Sequence, residues 1–298
     1  MKITNKILVA ALAIGSFATS AVAQGVYGGV HVGYSFSTAP SVLGTAANTN
    51  STSSTPTNSD ANIYGSNGAG TSFGINVGYM INENFGIDLG ADYLIIGSQK
   101  TETGNTTSIG STNVTSQTVS GSQIRLTPSL VVTAGKAGLK PYARFGVVLP
   151  VGGSSITDVS NVTTVPSISK TYTTTAKVET TGQMSVGFNS AVGVNFALGD
   201  KLTLFGELAL TTLSIKSAKS TLTAYSSEST FGTTTLTDLK NTYNKEINYV
   251  DELSKTSNND DTGYNTTANL DLTKPKDELA KVANYNTLGI NVGVKFAF

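Results

Sequence analysis

The sequence predicts an all-β fold, an eight-stranded antiparallel up-and-down β-barrel that crosses a membrane. Three observations predict it. Eight segments of about ten residues alternate apolar and polar side chains, the period of a strand with two unlike faces. The connections between them alternate short and long, as in a barrel with tight turns at one rim and long loops at the other. Charged residues make up only 13% of the 298-residue chain, with Gly, Ser, Thr and Asn abundant, and that share is about half of what soluble domains carry. Hydrophobic residues, at 39%, are too few for a helical membrane protein.

The first run is Gly25 to Phe36, with Val26, Val30, Val32, Tyr34 and Phe36 on one face and Tyr27, Gly29, His31, Gly33 and Ser35 on the other. The second, Ser72 to Ile81, carries Phe73, Ile75, Val77, Tyr79 and Ile81, and Asn82-Glu83-Asn84 turns the chain. The third, Phe85 to Ile95, carries Phe85, Ile87, Leu89, Ala91, Tyr93 and Ile95. Ile124, Leu126, Leu130 and Val132 mark the fourth, Gln123 to Thr133, which a short turn at Gly135 to Leu139 follows. Pro128 sits inside this run with no N–H to donate, so a bulge is expected there. The fifth run is Pro141 to Val151, the sixth Met184 to Leu198, the seventh Leu202 to about Ile215, with Gly199-Asp200-Lys201 between the last two. The eighth, Thr287 to Phe298, carries Leu288, Ile290, Val292, Val294, Phe296 and Phe298. A run of about ten residues suffices for a tilted strand to cross a bilayer.

A soluble β-sandwich also alternates. Two features favour the membrane. The polar face holds Gly, Ser, Asn and Thr rather than Lys and Glu. Aromatics on the apolar face gather at both ends of the strands: Tyr79, Phe85, Phe196, Phe296 and Phe298 toward the short turns, and Tyr34, Phe36, Phe73, Tyr93 and Phe188 toward the long loops. Two such belts are expected where rings sit at both lipid interfaces.

Residues 1–23 read as a secretory signal peptide: Lys2 and Lys6, an apolar stretch from Ile7 to Phe17, then the small-x-small site Ala21-Val22-Ala23. The apolar stretch is too short for a retained anchor. The mature chain, 24–298, is read as one barrel domain. Lys2 and Lys6 leave with the signal, so 17 of the 19 basic residues remain against 19 acidic ones. That slight acidity offers no electrostatic footing for nucleic acid. The absence of cysteine excludes disulfides and thiolate metal sites.

The sequence resembles the small eight-stranded outer-membrane barrels of the OmpA/OmpX-like families from Gly25 onward. The most specific piece is Leu288-Gly-Ile-Asn-Val-Gly-Val-Lys-Phe-Ala-Phe298, where alternate apolar residues end on Phe296 and Phe298. The resemblance implies that this strand is the signal read by the barrel-assembly machinery. Lys140 to Gly146 and Leu204 to Leu208 are similar to the fifth and seventh strands of these barrels. It further implies a Gram-negative outer membrane with lipid around the wall. Because the sequence ends with the eighth run, no peptidoglycan-binding domain is expected after it. The loops here are longer than the family norm.

Side-chain parity places six charges inside: Asp88, Asp92, Arg125, Arg144, Glu207 and Lys295. Charges in a narrow lumen must find partners, so a salt-bridge network plugging the barrel is expected, with Asp92 and Arg125 at similar depth on adjacent strands. Eight strands leave an interior just wide enough for side chains. Inward glycines leave room for a narrow channel as the alternative. His31, the single histidine, also points inward, so no Ser/His/acid set forms at the outer rim. No enzyme, cofactor or metal site is expected; Asp260-Asp261 is read as a solvated acidic pair.

The long loops, residues 37–70, 97–122, 152–183 and 216–286, are low in complexity and read either as mobile or as strand extensions above the membrane. In the last one, Leu236, Leu239, Tyr243, Ile247, Val250 and Leu253 recur at three- and four-residue spacing, which predicts an amphipathic helix. Pro275 predicts the start of a second. The expected function is a structural or surface-interaction role, with surface ligands met by the loops.

Overall fold

The computed structural model describes residues 25–38, 41–50, 57–106, 111–134, 138–260 and 270–298. The expected signal peptide lies outside the described residues, as does part of the turn at 135–139. The strands, in chain order, are β1 (Val26–Ser37), β2 (Ser41–Asn50), β3 (Thr57–Gly65), β4 (Gly70–Met80), β5 (Phe85–Thr106), β6 (Thr112–Thr133), β7 (Leu139–Val165) and β8 (Lys170–Gly182). They continue with β9 (Gly187–Ala197), β10 (Leu202–Thr212), β11 (Ser214–Ser229), β12 (Gly232–Thr235), β13 (Glu246–Val250), β14 (Lys276–Leu279), β15 (Val282–Asn284) and β16 (Thr287–Ala297).

Eight of these close a ring in which every neighbour is antiparallel: β1, β4, β5, β6, β7, β9, β10 and β16, the last pairing back onto β1. The seam runs without a break from Tyr27 opposite Ala297 to Ser37 opposite Thr287. Closure leaves no unpaired edge in the ring, which a strand needs where no water can satisfy its backbone. The eight predicted runs are these eight strands. Their apolar parity faces outward and uncovered, including all ten aromatics assigned to the two belts. The opposite parity lines the interior.

The strand boundaries differ from the expectation on the loop side. The sequence stops the third, fourth and fifth runs where alternation weakens, yet β5, β6 and β7 continue to 22, 22 and 27 residues. At about 3.4 Å per residue they far outrun the bilayer. Their upper halves are rich in Thr and Ser, with Val added in β6 and β7, and these stiff or small side chains suit a pleated surface wet on both faces. Together with β8, β11, β13, β14 and the β2–β3 hairpin they form one sheet standing on the rim. Register shifts sit where the sheet leaves the barrel, between Ile96 and Gln99 of β5 and at Arg125–Pro150 against Ile124–Gly152. An extra residue bends a strand and increases its twist. Gly153 at this bend holds φ +116°, a conformation that L side chains rarely adopt.

Two expectations are corrected. Pro128 causes no bulge: it lies opposite Leu89 in unbroken register, and pairing with β7 lapses at Thr127 and Pro128 and resumes in the same register at Ser129. The missing donor opens the ladder without inserting a residue. The helices expected in the last loop are absent among the described residues. Leu236–Asp238 and Thr242–Asn244 are single 3₁₀ turns, Glu246–Val250 is a strand on β11, and Lys276–Leu279 is a strand parallel to it.

Candidate functional site

The interior of the ring is a stack of small, polar spaces under an apolar stopper. A vestibule of about 350 Å³ opens at the short-turn rim between Tyr27, Lys140, Asn195 and Lys295. Above it a space of about 20 Å³ lies between Tyr27, His31, Asp88, Arg144 and Glu207. A further space of about 50 Å³ lies above that, between His31, Asp92, Arg125 and Asn189. Its ceiling includes Leu94 and Val148, which pack with Ile96, Leu213, Ile215 and Tyr285 into a buried apolar layer at the mouth. Tyr285 follows β15, a short strand of the last loop that pairs with the base of β11, so the last loop supplies part of the stopper.

All six predicted charges line this interior, but only one ion pair forms among them. Arg144 Nη2 donates to Glu207 Oε1 at 2.6 Å, and Tyr142 and Asn291 donate to the same carboxylate at 2.8 and 2.9 Å. Asp88 accepts from Tyr27 at 2.8 Å and Asn76 at 2.7 Å, neutral donors both. Asp92 and Arg125 stand directly opposite in the β5–β6 register but do not pair. Asp92 Oδ1 is taken by His31 Nε2 at 2.7 Å, and Arg125 Nε donates to Gln123 instead. Gly74 makes the His31 contact possible, because a methyl there would collide with the His31 ring and with Asp92 Oδ1.

Among the described residues Lys295 meets no carboxylate within ion-pair distance. Its Nζ lies 4.4 Å from the ring centre of Tyr142, 4.6 Å from Phe205 and 5.5 Å from Tyr27, and it donates to Asn195 at 3.2 Å. Ring faces hold a desolvated cation by their quadrupoles. The sequence-level network of salt bridges is therefore mostly a network of charges held by neutral hydrogen-bond donors and aromatic faces. Phe296 and Phe298 sit outside it, exposed on the wall near the short turns, with ring centres 5.4 Å apart. The apolar stopper was not anticipated. Its signal is present in Tyr93-Leu94-Ile95-Ile96 and in Val147-Val148-Leu149, where both parities are apolar at the loop end.

Among the described residues no group of three or more His, Cys, Asp or Glu is arranged to hold a metal. Of the acidic pair, Asp261 lies outside the described residues, and Asp260 is bound to Lys276 at 3.1 Å. A groove of about 1000 Å³ on the outer wall, lined by Leu89, Pro128, Leu130, Phe145 and Phe188, belongs to the apolar surface of the ring.

A closed antiparallel ring, apolar outside and polar within, is the arrangement that lipid demands of strands. Residues 8–296 match the family described as outer membrane protein beta-barrel domain. The chain belongs to that family. No curated protein matches it. The outer-membrane barrel domain covers nearly the whole chain, and its membership accounts for the uncovered apolar wall: these side chains are solvated by hydrocarbon in a bacterial outer membrane. The sheet carried by β5, β6 and β7 then stands in water on the loop side.

Proposed function

We propose that this outer-membrane barrel is a closed anchor in a Gram-negative envelope, akin to the small eight-stranded OmpA/OmpX-like barrels, and that its work is recognition by the sheet it carries outside. The observation that supports this reading most directly is the continuity of β5, β6 and β7 from lipid into that sheet. Strands fixed in a barrel hold their extensions rigid, which lowers the ordering entropy lost on binding. Two hairpin tips at the far end add support. Phe231, wholly exposed, caps the β11–β12 hairpin, and Ile168, half exposed, caps the turn between β7 and β8. Such side chains suit contact with a host, phage or matrix partner. The reading includes no catalytic step: His31 is engaged by Asp92 inside the wall.

The test compares cells displaying the parent barrel with cells displaying a version whose β7–β8 hairpin is cut to a short turn. Heat-modifiable gel migration verifies folding of both. Loss of retention on host-cell, phage and matrix surfaces is the expected result, and equal retention on all of them removes the reading.

A narrow channel is the second reading, and the file of spaces from the vestibule to Arg125 favours it. Planar-bilayer recording decides between the two. A closed anchor carries no steady current, and Arg125→Ala leaves it silent; unit conductance changed by that substitution supports the channel.

A further inference from the structure

The geometry points to a binding site for a small inorganic anion, of halide or nitrate size, in the upper lumen beside Arg125. Arg125 is 7% exposed. Its Nε is used by Gln123, while Nη2 is buried with no hydrogen-bond partner. The carboxylate opposite it in register, Asp92, is occupied by His31, and no carboxylate lies within 4.0 Å of Arg125 among the described residues. A buried guanidinium with an unmet N–H is costly to leave so. The upper space, of about 50 Å³, adjoins this group.

The lining of that space suits an anion. Arg125, Arg144 and Asp92 line it; Arg144 is already neutralised by Glu207 and Asp92 is engaged by His31, so Arg125 is the charge among these without an ion-pair partner among the described residues. Asn189 Nδ2 donates to Thr211 Oγ1 at 3.0 Å, which leaves the Thr211 hydroxyl proton free to point inward, and the Ser72 and Thr127 hydroxyls rotate to do the same. At roughly 10–15 Å³ per water-sized position, the space of about 50 Å³ takes a halide or a planar anion of nitrate size and is too small for larger organic acids. The apolar stopper closes the outer side. On the inner side the space abuts the lower one at His31 and Arg144, and that one abuts the vestibule at Tyr27 and Lys295. The short-turn side is thus the less obstructed approach, lined by Lys295 and Arg144 together with the carboxylates of Asp88 and Glu207.

Bromide is the probe. The full mature chain, refolded in detergent and crystallised, is soaked in sodium bromide and measured at the bromine absorption edge. We expect an anomalous peak within hydrogen-bond reach of Arg125 Nη2 that excess nitrate displaces, and that is lost in Arg125→Gln. Should that variant fail to fold, displacement by nitrate in the parent carries the test alone. A second readout is the thermal midpoint, which rises with bromide in the parent beyond any rise in the variant, as ligand linkage requires. Density with no anomalous signal is a water, and overturns the proposal. A peak that nitrate leaves in place, or one retained in Arg125→Gln, overturns it as well.

Discussion

Glu207 shows how a charge is kept inside an eight-stranded wall. Three donors from two strands, Tyr142 and Arg144 of β7 and Asn291 of β16, converge on its carboxylate, and only one of them, Arg144, is charged. Glu207→Gln removes the negative charge and leaves Arg144 buried without its counter-ion. Breaking a buried pair in this way costs about 3–5 kcal/mol. The expected result is a lowered urea midpoint for the refolded barrel, part of which returns when Arg144→Met is added; a Glu207→Gln barrel as stable as the parent would show that the pair contributes nothing. Parity alone made the inward position of all six charges legible, because side chains alternate strictly along a strand. Which charge meets which partner was not legible. Asp92 has two basic neighbours, and the shorter reach of His31 across the open Cα of Gly74 decides between them. Lys295 has a stem long enough to leave its own row and lodge among three rings.

The last loop shows why an element can be misread while its residues are placed well. The spacing from Leu236 to Leu253 fits a helix, but seven of the residues between are Thr, Asn or Asp, which bond their own backbone and compete with the helical ladder. Thr235 and Asp238 close the first 3₁₀ turn by reciprocal bonds, and the edge of β11 offers Glu246 to Asn248 a ladder instead. Asp271 organises the next turn. Hydrogen bonds from the Thr273 hydroxyl, then from Lys274 and the Thr273 N–H, push its carboxyl down to about 2. A depressed carboxylate stabilises above its unfolded value of about 3.9, and that contribution is lost as pH falls toward 2. Carboxyl NMR should show Asp271 titrating near 2; an ordinary titration near 3.9 would mean the turn does not form. The stopper is a second test at this scale. Tyr285→Ala with Leu213→Ala removes two members of the apolar layer, each change costing about 2–5 kcal/mol of packing. Current events absent from the parent should appear in bilayer recordings of the double variant. If both are silent, the polar rows below, and not the stopper, close the lumen.

At the scale of the whole molecule, the barrel was legible, while the sheet above it was legible only as one of two readings of the long loops, strand extensions or mobile segments, for one physical reason. Inside the bilayer the two faces of a strand meet opposite solvents, so the sequence alternates. Above it both faces meet water, and Thr-Ser-Asn strands carry the composition of loops; only pairing reveals them. The claim that the lower wall meets hydrocarbon is testable because the chain contains no tryptophan, so a single one reports without background. Val32, Leu89 and Val292 are 43%, 44% and 53% exposed, on β1, β5 and β16, within a contiguous apolar surface far beyond the few hundred Å² a soluble monomer leaves open. Tryptophan at any of these positions extends from the outer face of the ring, so it disturbs little of the interior packing. In vesicles of brominated lipid all three reporters should be quenched, while iodide in the water should leave them bright. A reporter at Thr175, exposed on β8 of the outer sheet, should behave in the opposite way. Iodide quenching at 32, 89 and 292 would place that surface in water, where apolar area costs about 25 cal/mol per Å², and a ring so uncovered would need a protein partner in place of lipid.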